Sequence, residues 1–328
     1  VAPRLSLDDV ERARSVLARH LRPTPLRPSL AAPEADLMLK LECWQPTGSF
    51  KVRGALYFLS ALGDEERRRG VVAASAGNHA LGVAFGASRL GGALHVTLFV
   101  PRTAPRTKVE KLRCFPVEVR ETGETYDDTV EEARAFERET GAVFVQAYED
   151  LRVAAGQGTV GLEILDECPD VATVLVPVGG GGLIAGLAAA VKARAPDVRV
   201  VAVQPDASPA LRESLRLGRP LLTFPAGPTL ADGLSGGIGA IAFEHRDLVD
   251  EVVTVSEAEI EDAIVALVAS DQAVAEGAGA VGVAALRAGK VTSGGRGPVV
   301  AVVTGGNLDA GVLARILASR HPDGEASW

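Results

Sequence analysis

Short β-branched runs recur along this chain at a spacing that only one kind of architecture accommodates. Candidate strands lie at Leu37–Leu41, Val71–Ala74, His95–Val100, Val117–Arg120, Val143–Gln146, Val174–Val178, Val200–Val203, Glu251–Val255 and Val299–Thr304. Amphipathic stretches such as Asp127–Thr140 and Glu257–Ser270 separate most of them. Strands that alternate with helical patterns form βαβ units, and therefore an α/β fold of mostly parallel sheets flanked by helices. An all-helical bundle cannot house so many Val-rich runs. No repeat, low-complexity tract or linker is visible, so any second lobe has to be inserted within the first. A complete four-strand set between residues 71 and 146 predicts a small domain over 71–145, closed around by a large domain built from 1–70 and 146–328.

Composition removes several function classes. The 328 residues carry a net charge of −8, with no long basic run and only nine Phe, three Tyr and two Trp. A nucleic-acid partner would require both a basic footprint and stacking residues. Cys43, Cys114 and Cys168 are scattered and odd in number, which fits a reducing cytoplasm and neither a disulfide frame nor a zinc knuckle. The segment Val1 to Leu21 mixes acids and arginines and does not read as a signal peptide. The longest apolar stretch, Leu183–Val191, is too short to span a bilayer. The expectation is a cytoplasmic protein with no nucleic-acid or membrane partner.

Residues 46–54 read Pro-Thr-Gly-Ser-Phe-Lys-Val-Arg-Gly. Thr47 and Ser49 are good N-cap residues, and apolar Phe50, Ala55, Phe58, Leu59 and Leu62 follow at roughly helical spacing. Lys51 therefore falls in the first helical turn, where the macrodipole disfavours an ammonium group. A lysine whose pKa is lowered, or which is tied up covalently, escapes that penalty.

In α/β sheets ligands gather at the carboxyl ends of strands. Val71–Ala74 runs into Ser75-Ala76-Gly77-Asn78-His79-Ala80, which sets N–H groups, a hydroxyl, an amide and an imidazole at a helix N-terminus. Taken alone this reads equally as a strand-to-helix turn capped by Ser75. Val174–Val178 leads into Gly179-Gly180-Gly181-Gly182-Leu183, where four glycines cost backbone entropy and let several N–H groups approach one anion, a phosphate above all. The competing reading is a dinucleotide fold, since Gly180, Gly182 and Ala185 satisfy a GxGxxG/A spacing. That reading wants an acid at the end of the next strand, where Gln204 stands with Asp206 just beyond. The third strand end is Thr304-Gly305-Gly306-Asn307, a hydroxyl on a glycine-flanked turn that could equally cap a helix.

Together with Ala231-Asp232-Gly233 and Glu276-Gly277-Ala278-Gly279, these motifs occur in an order that resembles the fold type II pyridoxal-phosphate enzymes, of the tryptophan synthase β-like fold. The branch is that of the threonine and serine dehydratases, which also holds serine racemase. The likeness runs from about Leu21 to Asn307. It implies pyridoxal 5'-phosphate in a Schiff base with Lys51, Phe50 against its ring, Asn78 on the ring hydroxyl and Thr304 facing the ring nitrogen. Gly179, Gly180, Gly181, Gly182 and Leu183 would hold the phosphate, and the Gly233 backbone would lie near the ring. Ser75, Ala76, Gly77, Asn78 and His79 would bind the substrate carboxylate.

The implied reaction is dehydration and deamination of a β-hydroxy L-amino acid, threonine or serine, with Lys51 taking the α-proton. Racemisation is disfavoured because Ala76 stands where racemases carry an acid/base serine. A divalent-ion site is disfavoured because Gln204 and Ala210 replace its ligands, so no metal is expected. Thr304 in place of serine keeps a threonine-synthase-like activity in view. A non-catalytic cofactor-binding protein and a nicotinamide oxidoreductase are the readings from other classes, and the latter leaves Lys51 unexplained. A homodimer or homotetramer, and the absence of isoleucine feedback, are further expectations from the resemblance. His20, His95, His245 and His321 read as surface or satisfied core groups, and His79 as an organiser of its loop.

Overall fold

A computed structural model describes residues 4–91, 94–292 and 297–320; His321 lies outside them. The ten strands are β1 (Leu26–Pro28), β2 (Leu37–Lys40), β3 (Val71–Ala74), β4 (Val96–Val100), β5 (Glu118–Glu121), β6 (Val143–Phe144), β7 (Thr173–Pro177), β8 (Arg199–Pro205), β9 (Glu251–Val255) and β10 (Val299–Val302). They form two sheets, ordered β1-β2-β10-β7-β8-β9 and β5-β4-β3-β6. Every pairing is parallel except β1 with β2. All nine expected strands are present, shifted by a residue or two at their ends. β1 went unexpected, because Arg27 and Pro28 on an exposed three-residue edge carry no alternating apolar signal.

The central parallel strands are buried on both faces, which explains their continuous apolar runs: β3, β4, β7 and β10 contain no exposed position. The expected helices stand at Tyr126–Thr140 and Glu257–Asp271, each opened by a capping box, at Thr125 and Ser256. No helix among the described residues is long and apolar enough to cross a membrane.

The helix Lys51–Ser60 starts where the sequence places it, but its cap is different. Phe50 is the N-cap residue and makes no side-chain cap bond; Thr47 donates its hydroxyl to the Ser49 carbonyl instead. The entry is fixed by backbone, through the Phe50 N–H donating to the Thr304 carbonyl at 3.0 Å and a bridge between Ser49 and Gly305. The first turn of this helix is thereby tied to the end of β10.

Behind the helix lies a largely buried charge cluster. Arg53 forks onto Glu42 at 2.7 Å and onto Glu163 at 2.6 and 2.7 Å, and also donates to Thr159. Lys40 of β2 joins Glu163 at 2.8 Å. Glu42 and Glu163 hold the guanidinium charged despite its burial.

The helices Leu151–Glu167 and Gly182–Arg194 cross at a point with no spare volume. A Cβ on Gly186 would lie 1.9 Å from the Ala154 carbonyl oxygen, and one on Gly158 would meet Gly186 at 2.6 Å. Only glycine permits this approach, which fixes how far the second helix can slide. We expect Gly186→Ala to lower stability by about 1–3 kcal/mol through overpacking. A urea denaturation midpoint equal to that of the parent would contradict the contact.

Candidate active site

Three strand ends identified from sequence, those of β3, β7 and β10, open onto one cleft of about 720 Å³ between the two sheets. Phe50, Lys51, Ser75 to His79, Gly179 to Leu183, Gly233 and Thr304 all line it. Every residue singled out from the sequence as a site residue therefore reaches the same space.

Lys51 is the first residue of its helix and points its amine to the Ala147 carbonyl oxygen, 3.0 Å away. Nζ sits 5.3 Å from the centre of the Phe50 ring. Burial lowers its pKa from 10.5 to about 8, against the opposing pull of the Glu276 carboxylate. Burial also lowers His79 to about 4, with the Lys51 charge adding to the effect. Neutral His79 donates from Nε2 to the Val145 carbonyl at 2.9 Å, so the imidazole spends its proton on backbone and orders the loop.

The glycine loop is shaped by near contacts. Gly181 has φ +92°, a left-handed conformation, and a Cβ there would lie 2.3 Å from that of Ala242. Gly180 lies against the Tyr148 ring, which a Cβ would meet at 2.4 Å. Gly181 is the N-cap of helix Gly182–Arg194, whose first N–H groups have no partner within the helix. This is an anion cradle of backbone N–H groups at a positive helix end. A second cradle stands opposite, where Gly77 precedes helix Asn78–Leu90 and donates its N–H to the Ser75 hydroxyl at 3.1 Å.

Two residues gain a role that the sequence did not assign. Glu276 is the N-cap of helix Gly277–Arg287 and accepts from Asn78 Nδ2 at 2.7 Å. Burial first, and the neighbouring Asp232 charge second, raise its pKa to about 7. Asn307 donates to Asn78 Oδ1 at 2.7 Å and to the Thr47 carbonyl at 2.8 Å. Both belong to motifs visible in the sequence, but only their meeting around Asn78 shows that they orient it. Tyr148 carried no sequence signal at all, because its part is to face Gly180 from another strand's exit.

A model of the family described as "Pyridoxal-phosphate dependent enzyme" matches residues 17–305. The chain belongs to that family. It is 44% identical to the L-threonine ammonia-lyase of Thermotoga maritima, over 95% of this chain and 78% of that one. It is 39% identical to the catabolic L-threonine dehydratase of Escherichia coli, over 95% of this chain and 96% of that one. Among solved structures, maize serine racemase superposes with a TM-score of 0.89 at 32% identity, covering 98% and 99% of the two chains. Both curated relatives carry ammonia-lyase or dehydratase names, which puts the chain among the lyases of this family.

The residues present fit that cofactor. Its phosphate needs a cradle that side chains leave open, and the glycine loop is one; its aldehyde needs an amine that can shed a proton, and Lys51 is one. Two of the other histidines are committed elsewhere. His245 accepts from the Leu5 N–H and donates to the Ile241 carbonyl, and exposed His95 pairs with Glu118. The dinucleotide reading fails at Gln204, which is buried and committed to backbone.

The electrostatics give a signed prediction. In the cofactor-free protein the Lys51 amine should titrate near 8. Glu276 favours the charged amine, so Glu276→Gln should move that titration lower still. NMR of the reductively methylated protein follows it directly, and titration of Lys51 at an ordinary lysine value of about 10.4 would refute the assignment.

Proposed function

We propose that this protein eliminates water and then ammonia from a β-hydroxy L-amino acid, L-threonine or L-serine foremost, to give a 2-oxo acid. The observation that carries the reading is a half-buried lysine amine, lowered to about 8, in a cleft walled by two helix N-termini. One cradle suits a phosphate and the other a carboxylate. The names of the ammonia-lyase and dehydratase relatives point to the same chemistry.

When bound, pyridoxal 5'-phosphate supplies an electrophilic aldehyde and a conjugated ring that stabilises negative charge at the substrate α-carbon. Lys51 would hold the cofactor covalently, and its free amine would take the α-proton of the substrate. Its lowered pKa keeps a useful fraction unprotonated near neutral pH. Gly179 to Leu183 bind the phosphate through their N–H groups. Phe50 would hold the ring, with Asn78 at its hydroxyl and the Gly233 backbone near it; all three line the cleft. Thr304 would offer the ring nitrogen a neutral hydroxyl in place of a carboxylate, which would leave that nitrogen largely unprotonated and favour elimination. Ser75 to His79 bind the substrate carboxylate, and the unit over 71–145 closes on the large domain around the cleft. The working form is a cytoplasmic homodimer or homotetramer.

Ala76 lines the cleft where a racemase would present a hydroxyl. Lys51 then works without a partner for proton return, and elimination outruns racemisation. Threonine-synthase chemistry would need a free cation for a phosphorylated substrate. Lys108, on the cleft wall, faces Asp232 at 3.6 Å instead.

The purified protein should show a visible absorption band that borohydride bleaches, with the reduced adduct on Lys51 by mass spectrometry. L-Threonine or L-serine should release ammonia and an oxo acid, and Lys51→Ala should lower kcat by at least about 10²–10⁴-fold. A band without turnover across a panel of β-hydroxy amino acids would leave a cofactor carrier. Ala76→Ser should raise serine racemisation relative to elimination; an unchanged ratio would remove the argument from Ala76.

A further inference from the structure

Gln204 lies at the end of β8, beside the strand that launches the glycine loop, and is fully buried. All four hydrogen-bonding positions of its carboxamide are used. Nε2 donates to the carbonyl oxygens of Val178 at 3.2 Å and Ser208 at 3.4 Å. Oε1 accepts from the N–H groups of Leu211 at 3.0 Å and Arg212 at 3.2 Å.

Each partner leads to the cleft or braces it. Val178 immediately precedes Gly179. Ser208 accepts at Oγ from the Gly236 N–H at 3.1 Å, and Gly236 lines the cleft. Leu211 and Arg212 are in the first turn of helix Ala210–Leu217, whose N–H groups have no partner within the helix. A glutamine that merely satisfied a strand end would need one such bond. Here two carbonyl oxygens from different segments converge on one NH2 group, a point where a cation could equally bridge them.

We propose that Gln204 is the positioning residue of the phosphate loop, its NH2 group serving in place of a bound cation between the Val178 and Ser208 carbonyl oxygens. The inference rests on the reading of Gly179 to Leu183 as the phosphate cradle. The carboxamide fixes the start of the loop against the turn that carries the Gly236 wall, without a metal ion and without net charge. Cofactor affinity is therefore indifferent to added cations.

Gln204→Glu tests this, because it keeps the side chain's size and its acceptor for Leu211 and Arg212 while turning the donor into an acceptor. Three oxygen groups then face one another, a partial oxygen shell that calcium can complete with water. In chelator-treated buffer the variant should bind pyridoxal 5'-phosphate about tenfold more weakly than the parent. Millimolar calcium chloride should restore it, while parental affinity stays unchanged with chelator or calcium. A parent that requires the cation would overturn the inference. So would a variant that binds normally without calcium, or one that calcium does not recover. Should Gln204→Glu not fold, Gln204→Leu takes its place. It is expected to bind the cofactor more weakly and to ignore calcium, and parental affinity in that variant overturns the inference. A parent that fails to bind pyridoxal 5'-phosphate would instead sink the phosphate-cradle reading, and this inference with it.

Discussion

The forked contact of Arg53 with Glu42 and Glu163 is the interaction on which the rest of the site depends. It joins the turn after β2, the helix that bears Lys51 and the helix that supports the glycine-loop helix from behind. Burying such a cluster is costly, and replacing it by apolar groups could leave stability unchanged. Losing one member is different, since an unpaired buried charge costs about 3–5 kcal/mol. What the cluster provides is direction. A planar guanidinium accepts two carboxylates in only one orientation, so the helix cannot rotate about its axis. Lys51, two residues earlier, therefore emerges toward the cleft.

That cleft has an unusual charge economy. Lys51 is lowered to about 8, His79 to about 4, and Glu276 is raised to about 7. Burial is the first cause in all three, and it pushes each toward its neutral form. In such surroundings a proton transfer need not begin by stripping water from a full charge. Asn78 gains from it too, because its amide is oriented by Glu276 and Asn307 before any ligand arrives.

Much of this was legible in the sequence, for physical reasons. Parallel strands buried on both faces announce themselves as Val-rich runs, and glycines packed against Ala242 or Tyr148 must be glycine whatever the rest of the chain does. What escaped was of two kinds. Local signals were overridden by tertiary contacts: Thr47 and Ser49 have the chemistry of caps, but Phe50 is held by the backbone of Thr304. Other residues act only through a distant partner. Glu276 and Asn307 meet Asn78 across about two hundred positions of sequence, and no local pattern encodes that. Gln204 is of the second kind too: its departure from the acidic ligand of the racemases' divalent-ion site is visible, but its meaning lies in four backbone partners.

The placement of Asn78 has a wider consequence. It begins a helix packed on the four-stranded sheet, yet its side chain is held by Glu276 and Asn307, which belong to the other sheet's surroundings. The two cradles are divided in the same way. A ligand that touches both halves is then a clasp, and its binding energy is spent partly on holding them in register. Cofactor supply would in this way set the resistance of the whole fold to proteolysis, well before it limits the rate of any reaction.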